Sequence, residues 1–379
     1  MIKLFKYVFA AGVLAASGAA SATDCPTAIS SFNSCSGTPA QIASCQASIK
    51  GSHPECFGAA GGTAASTKAV QATSLEQILA ISANISRPLT LTAPPGVVVS
   101  DSGSRKGVAA GNPAGKWNAW VSVSETDIDY DRGTYFLLGA NRTNKFDSRI
   151  QTVVLGGDYR WTPDLVFGFS IAADSGSGSA SSYTIAAPDA AKSVSTSGTS
   201  YAPYFGWQIN KDWALDGTIG MGNGESTTAG TVKSDSKRVF YGANLTHSRW
   251  YGNWQVNGKG SYLVGREDND DARNSGAVVA NSKVSNEIAQ ARFGVQAAYW
   301  MNGVMPYAGL AYSRDFRVST ASADELYGTE IGESAYVWSL GVNFISIRNA
   351  MTAGIGFEQE TGRDRSKNRK LMANINVRF

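Results

Sequence analysis

The sequence predicts an all-β protein: an antiparallel transmembrane β-barrel of about twelve strands, preceded by a short helical and disulfide-stapled segment. Three observations carry that reading. Segments of alternating apolar and polar residues recur from Trp117 to Phe379. They come in pairs joined by very short turns, and longer polar connections separate the pairs, which is the layout of an up-and-down barrel. In these segments the charges gather on one of the two faces.

In chain order, residues 1–22 read as a secretory signal peptide. Lys3 and Lys6 are followed by the apolar run from Val8 to Ala16 and by the small-residue site Ala20-Ser21-Ala22. Beyond it no apolar run reaches the roughly 18 residues of a spanning helix. Residues 23–72 hold all four cysteines, Cys25, Cys35, Cys45 and Cys56. In an exported chain such a cluster reads as two disulfides, with three pairings open. A metal site would need C-x-x-C or histidine spacing, and only His53 is near, so neither metal nor cofactor is expected.

Residues 73–116 read as an amphipathic helix and a linker. Ser74 with Gln77 forms a capping box, Leu75, Ile78, Leu79, Ser82 and Ile85 share a stripe, and Pro88 ends the helix. Pro94-Pro95 and several glycines mark the linker, with a short strand expected at 96–99.

Residues 117–379 are the barrel. Tight turns fall at "TPD" (162–164), "NKD" (210–212), "YGN" (251–253), "NG" (302–303) and "RN" (348–349). Long connections fall near 176–195, 224–236, 267–283 and 319–333, with a shorter one at 361–367. The segment 134–143 is a thirteenth strand candidate. Placing 130–148 as an excursion outside the membrane leaves twelve. In 336–344, Tyr336, Trp338, Leu340, Val342 and Phe344 oppose Ser339, Gly341 and Asn343. The segments at 254–264, 289–299 and 351–358 divide the same way.

Asp158, Arg160, Lys259, Arg292, Glu358 and Arg378 all lie on polar rows. A charge at mid-depth on a lipid face costs ~2–4 kcal/mol, so these rows are expected to enclose water while the apolar rows meet lipid. Trp117, Trp161, Trp207, Trp213, Trp250, Trp254, Trp300 and Tyr307 stand close to the short turns, as an interfacial girdle would. Net charge is only +3, which gives no case for nucleic-acid binding.

In the last segment, Leu371, Ala373, Ile375, Val377 and Phe379 form one row. This end resembles the C-terminal signature that the β-barrel assembly machinery reads in outer-membrane proteins. The wider region, from "WNAWVSVSETD" through "VLGGDYRWTPDLVFGFSIAAD" to "NVRF", resembles the translocator or β-domain of autotransporters. The resemblance implies a twelve-stranded barrel in a Gram-negative outer membrane, a helix inside or near the pore, and an N-terminal passenger that the barrel anchors and translocates to the cell surface. Two features depart from the family. The passenger is short, and roughly thirty residues separate the helix from the first strand. On its residues alone, the helix would pack against the cysteine segment. The alternative function is a structural, adhesive or porin-like barrel whose N-terminal domain is periplasmic or plugs the lumen.

Enzymatic activity is not expected. His53 and His247 lack a Ser/Asp constellation, and no G-x-S-x-G occurs. "GMGNGES" (220–226) lacks the Lys-Ser/Thr of a phosphate loop, and "REDNDDAR" (266–273) does not fit a calcium loop. The expected partners are outer-membrane lipid, lipopolysaccharide and the assembly machinery, with the chain a monomer. "GRDRSKNRK" (362–370), with five basic residues against one acid, reads as a solvated loop or as a contact for lipopolysaccharide phosphates.

Overall fold

The computed structural model describes residues 31, 34–35, 41, 44–45, 48, 76–83, 116–137, 140–184, 187–188, 192–278, 283–318, 332–346, 350–364 and 366–379. The signal peptide, the linker with its strand at 96–99, Cys25, Cys56, His53, the outer positions of the helical stripe and the turn at 348–349 lie outside the described residues. The chain divides into two compact units, Met1–Phe57 and Gly58–Phe379. In the first, Cys35 and Cys45 form a disulfide with their Cα atoms 6.0 Å apart. That bridge is compatible with only one of the three pairings.

Among the described residues of the second unit there are fifteen strand segments, three of them only two residues long. The other twelve build the barrel: β1 (Trp117–Leu137), β2 (Ala140–Thr162), β3 (Leu165–Thr184), β4 (Lys192–Gln208), β5 (Trp213–Thr228) and β6 (Val232–Tyr251). The second half comprises β7 (Trp254–Asn269), β8 (Val284–Tyr299), β9 (Val304–Val318), β10 (Ser334–Ser346), β11 (Met351–Thr361) and β12 (Ser366–Arg378). Each strand pairs antiparallel with the next, and β12 returns onto β1 from Asn118↔Arg378 to Tyr130↔Ser366. Closure leaves no unpaired edge, which is the condition for strands to cross a membrane. Among the described residues no helix is long and apolar enough to cross one.

The apolar rows face outward. Ile219 is 61% exposed and Phe293 65%, with Leu155, Phe169, Leu310, Leu340 and Ile355 beside them on the outer wall. The inward rows carry buried Asn118, Thr152, Asp216, Asn244, Gln290 and Asn374. A folded chain leaves such a continuous apolar belt bare only where lipid covers it. Toward the long connections the belt gives way to exposed Arg149, Lys237, Arg266, Arg314 and Arg369, with half-buried Glu125 beside Arg149.

Short turns are made by backbone chemistry. Asn302 and Gly303 both take positive φ (50° and 94°), the two-residue hairpin geometry that Asn-Gly favours. Inward rings need bare backbone beneath them. Trp120 lies over Gly156, Tyr204 over Gly168 and Phe240 over Gly220, so closely that a Cβ at any of the three glycines would collide.

Four expectations are corrected or refined. The described residues of 130–148 leave the barrel count at twelve, as expected, but as a continuation of the β1–β2 ladder rather than as an irregular segment, with a register shift between Asp131 and Thr134. The ladder also continues through much of 176–195 and 224–236, where β5 turns into β6 at Ala229 and Gly230. Strands rich in serine, threonine and glycine looked like loops because their alternation is of size rather than polarity. Third, the girdle is incomplete. Trp300 is 7% exposed and packs with Ala298 and Met305, while Trp250 and Tyr307 join that cluster from inside the barrel. Fourth, the basic segment is divided. Lys367 and Arg369 are exposed, but Arg363 and Lys370 turn inward and are buried.

Candidate functional site: a helix held in the lumen

The polar rows of the barrel converge on a lumen that is occupied. A helical segment at 76–83, α1, lies within it, with Glu76, Gln77, Ile78, Ala80, Ile81 and Ser82 all buried. A helix buried on every side needs a partner for each of its faces. The wall from β1 to β7 supplies the apolar one. Ile78, Ala80 and Ile81 cluster with Trp120, Val154, Val166, Tyr204, Phe240 and Leu263. At Gly242 the strand backbone comes so near that an added Cβ would sit 2.8 Å from Ile78 Cδ1.

Polar contacts fix the register of α1. Gln77 Nε2 donates to Ser170 Oγ at 3.2 Å, and Gln77 Oε1 accepts from Ser200 Oγ at 2.6 Å. Ser82 Oγ donates to Asp216 Oδ2 at 2.9 Å and accepts from Lys259 Nζ at 2.8 Å. Asn244 Nδ2 donates to the other Asp216 oxygen at 2.7 Å. Glu76 pairs with Lys370 at 3.0 Å, Lys370 with Glu358 at 3.2 Å, and Glu358 with Arg292 at 3.2 Å. This relay of alternating charge, buried at Glu76 and Lys370 and half-buried at Glu358 and Arg292, ties α1 to β12, β11 and β8. Removing one member of such a pair costs ~3–5 kcal/mol, because the other charge is left buried.

The contacts also give α1 a direction. Asp216, which holds Ser82, lies beside the short-turn end of the barrel, where β5 begins at Trp213. Lys370, which holds Glu76, lies further along toward the long connections. The N-terminal end of α1 therefore points to the loop end. Its packing is eccentric, and beside it a cavity of about 220 Å³ remains, lined by Asn257, Lys259, Arg292, Tyr307, Glu358 and Lys370 among others.

The predicted charged residues are not gathered into one site. Lys259, Arg292 and Glu358 belong to the network around α1. Asp158 lies at the short-turn mouth, accepting from Asn118 Nδ2 at 2.8 Å and from the Tyr204 hydroxyl at 3.1 Å. Tyr204 in turn accepts from Trp120 Nε1 at 2.8 Å. Half-buried Arg160 and Arg378 flank Asp158, and in register Arg378 and Asp158 lie on either side of Asn118. Leu371, Ile375, Val377 and Phe379 are exposed on the outer wall and Ala373 is half-buried between them. His247 is half-buried, its ring 4.7 Å from that of Trp213.

Two further clusters line the loop end. Arg238 bridges Asp174 at 2.8 Å and Glu267 at 3.0 Å. On another stretch of wall Arg363 pairs with Asp315 at 2.6 Å and with Glu360, and donates to the Gly332 carbonyl at 2.7 Å. Although burial disfavours its charge, Glu360 and Asp315 hold the Arg363 guanidinium above its ordinary range.

Sequence reasoning missed Glu76, Gln77, Asp216 and Lys370 as partners. Parity held the signal for Lys370, which shares its row with Met372 and Asn374 opposite Leu371. Gln77 and Ser82 are polar residues on or next to the apolar stripe. They pointed to a helix whose surroundings were themselves partly polar.

A model of the autotransporter β-domain matches residues 119–358, most of this barrel. The chain belongs to the autotransporter β-domain family. The translocator is therefore an outer-membrane β-barrel of a family of transport domains. The translocator domain of NalP from Neisseria meningitidis is similar to it, with a TM-score of 0.52 and 10% identity over 71% of this chain and 90% of that one. So is the β-domain of BrkA from Bordetella, with a TM-score of 0.52 and 14% identity over 70% of this chain and 100% of that one. At these identities the likeness is one of fold. A comparison with curated proteins gave no match.

Proposed function

We propose that this autotransporter β-domain carries its N-terminal segment, residues 23–72, through its own lumen to the cell surface and afterwards retains α1 as a plug. The direction of α1 supports this reading. Its Glu76 end points to the loop end, while the barrel begins at Trp117 on the short-turn side. If the long connections face outward, a chain with that polarity has its N-terminal part outside and its C-terminal part entering β1 from the periplasm. The outward row from Leu371 to Phe379 is the surface proposed for the assembly machinery.

The test is accessibility in intact cells expressing the full chain. An antibody or protease directed at residues 25–56 reaches them from outside if the segment is exported. Protection until the outer membrane is breached supports the alternative, a barrel that keeps its N-terminal domain in the periplasm or the lumen.

A further inference from the structure

The wall carries a gap in its backbone ladder within the apolar belt. β4 and β5 pair Tyr201 with Met221 and then Tyr204 with Thr218, so Ala202 and Pro203 between them pair with nothing on β5. The register is the same on both sides of this gap. Other interruptions between barrel strands, at Asp131/Thr134, Arg160/Thr162 and Ala289/Gln290, come with a register shift. On its other edge β4 stays paired, Ala202 with Ser170 and Pro203 with Phe169.

Proline is the cause. In an antiparallel ladder a residue turns its nitrogen and its carbonyl to the same neighbour. The Pro203 carbonyl faces β5, where it accepts from Thr218 Oγ1 at 3.0 Å. Its nitrogen therefore faces β5 as well, and it has no hydrogen to give. On the opposite edge Ser170 Oγ donates to the Ala202 carbonyl at 3.3 Å. Side chains do little to close the gap. The facing inward residues are Ala202 and Gly220, while Pro203 and Ile219 stand exposed in the belt. Hydrocarbon offers no water to a backbone group left without a partner, so such a gap weakens a membrane wall.

α1 lies across this line. On one side the Gln77 amide holds Ser170 of β3 and Ser200 of β4. On the other, Ser82 donates to Asp216 of β5. Between these contacts Ile78 and Ile81 cluster with Ala202 and Tyr204 of β4 and with Phe240, whose ring covers Gly220 of β5. The helix is thus fastened to both banks of the gap.

We propose that the β4–β5 seam at Pro203 is a line along which the barrel wall parts, and that seated α1 is the strap that keeps it closed. Unseating α1 takes away the Gln77 and Ser82 contacts together and leaves β4 and β5 joined only by the ladder on either side of the gap. The lumen can then widen there without breaking the closure of β12 onto β1. The inference needs α1 in the lumen, and it stands whichever way the N-terminal segment travels.

Amide hydrogen exchange on the purified full chain in detergent tests this. Gln77→Ala/Ser82→Ala should speed exchange in the segments 198–206 and 216–224 on the order of tenfold, the effect of losing one or two hydrogen bonds, and leave β10 and β11 unchanged. Adding Pro203→Ala, which restores the missing donor, should cancel most of the increase. Equal rates at the seam with and without the two α1 contacts overturn the proposal. An increase spread evenly around the barrel also overturns it, since the wall would then have no preferred line. So does an increase that persists with Pro203→Ala, because the gap would not be its cause. If the double variant does not assemble, Pro203→Ala alone decides. It should slow exchange at 216–224 relative to the unsubstituted chain, and an unchanged rate overturns the proposal.

Discussion

Lys370 is the cation on which the hold over α1 turns. Its Nζ lies 3.0 Å from Glu76 and 3.2 Å from Glu358, with both side chains of the Lys370–Glu76 pair almost wholly buried. Lys370→Met removes the charge and keeps most of the volume. Glu358 still has Arg292 at 3.2 Å, but Glu76 loses its cation inside the lumen. Stranding a buried charge costs ~3–5 kcal/mol, and the chain escapes that cost if α1 leaves its seat. At about 1.4 kcal/mol per factor of ten, the lower figure shifts the seated-to-unseated ratio roughly a hundredfold. Planar-bilayer recording on the full chain measures this as the fraction of time in a wide-open conductance. Glu76→Gln alone should change that fraction far less, since Lys370 keeps Glu358. Glu76→Gln combined with Lys370→Met should recover most of the closed time, because no carboxylate is then stranded on α1. Heat-modifiable migration on gels controls for loss of the barrel. An open fraction unchanged in Lys370→Met, or a double variant as open as the single one, would refute the reasoning.

Gly242→Leu should unseat α1 sterically, since even a Cβ there comes within 2.8 Å of Ile78, and bilayer recording should show longer open periods without loss of the barrel. Gly156→Val, beneath Trp120, should lower the unfolding midpoint through overpacking of ~1–3 kcal/mol, read from the heat-modifiability transition. Leu310→Arg on the belt should cost ~2–4 kcal/mol and reduce the yield of assembled barrel. Gln296→Arg, on the neighbouring strand but lining the lumen, should leave that yield near normal. If the two arginines behave alike, the assignment of faces is wrong.

The barrel was legible because its signal is the simplest one a sequence carries. Along the transmembrane part of each strand, parity sorts Leu371 from Lys370 and Leu340 from Ser339, and lipid punishes any error. Twelve strands follow when 134–143 is not given a strand of its own. The structure reaches the same number by a different route, since those residues extend the first hairpin. Where lipid no longer enforces polarity, the pattern fades. Ser175 to Ser179 and Ser193 to Ser197 alternate with glycine, threonine or valine, and nothing in that alternation distinguishes a strand from a loop. The girdle is incomplete for a related reason. Closeness to a turn is readable from sequence, but Trp254 and Trp300 point to opposite sides of the wall, and that is set by parity rather than by distance from the turn.

The lumen was hardest to read because its character is not uniform. A barrel of this size is too wide for its own inward side chains to fill. One sector of the wall is apolar, with Val154, Val166, Phe240 and Leu263 facing inward, and in an empty pore that sector would be wet. Burying Ile78 and Ile81 against it contributes roughly 1.5–3 kcal/mol for each side chain. The facing sector, with Lys259, Arg292, Glu358 and Lys370, attracts only a segment that brings a carboxylate and a hydroxyl at the right positions. An arbitrary polypeptide in the lumen would satisfy one sector or the other, but α1 satisfies both. Glu76, Ile78 and Ser82 meet their partners in a single register. The wall therefore holds this segment by its sequence, with no moving part beyond the chain itself.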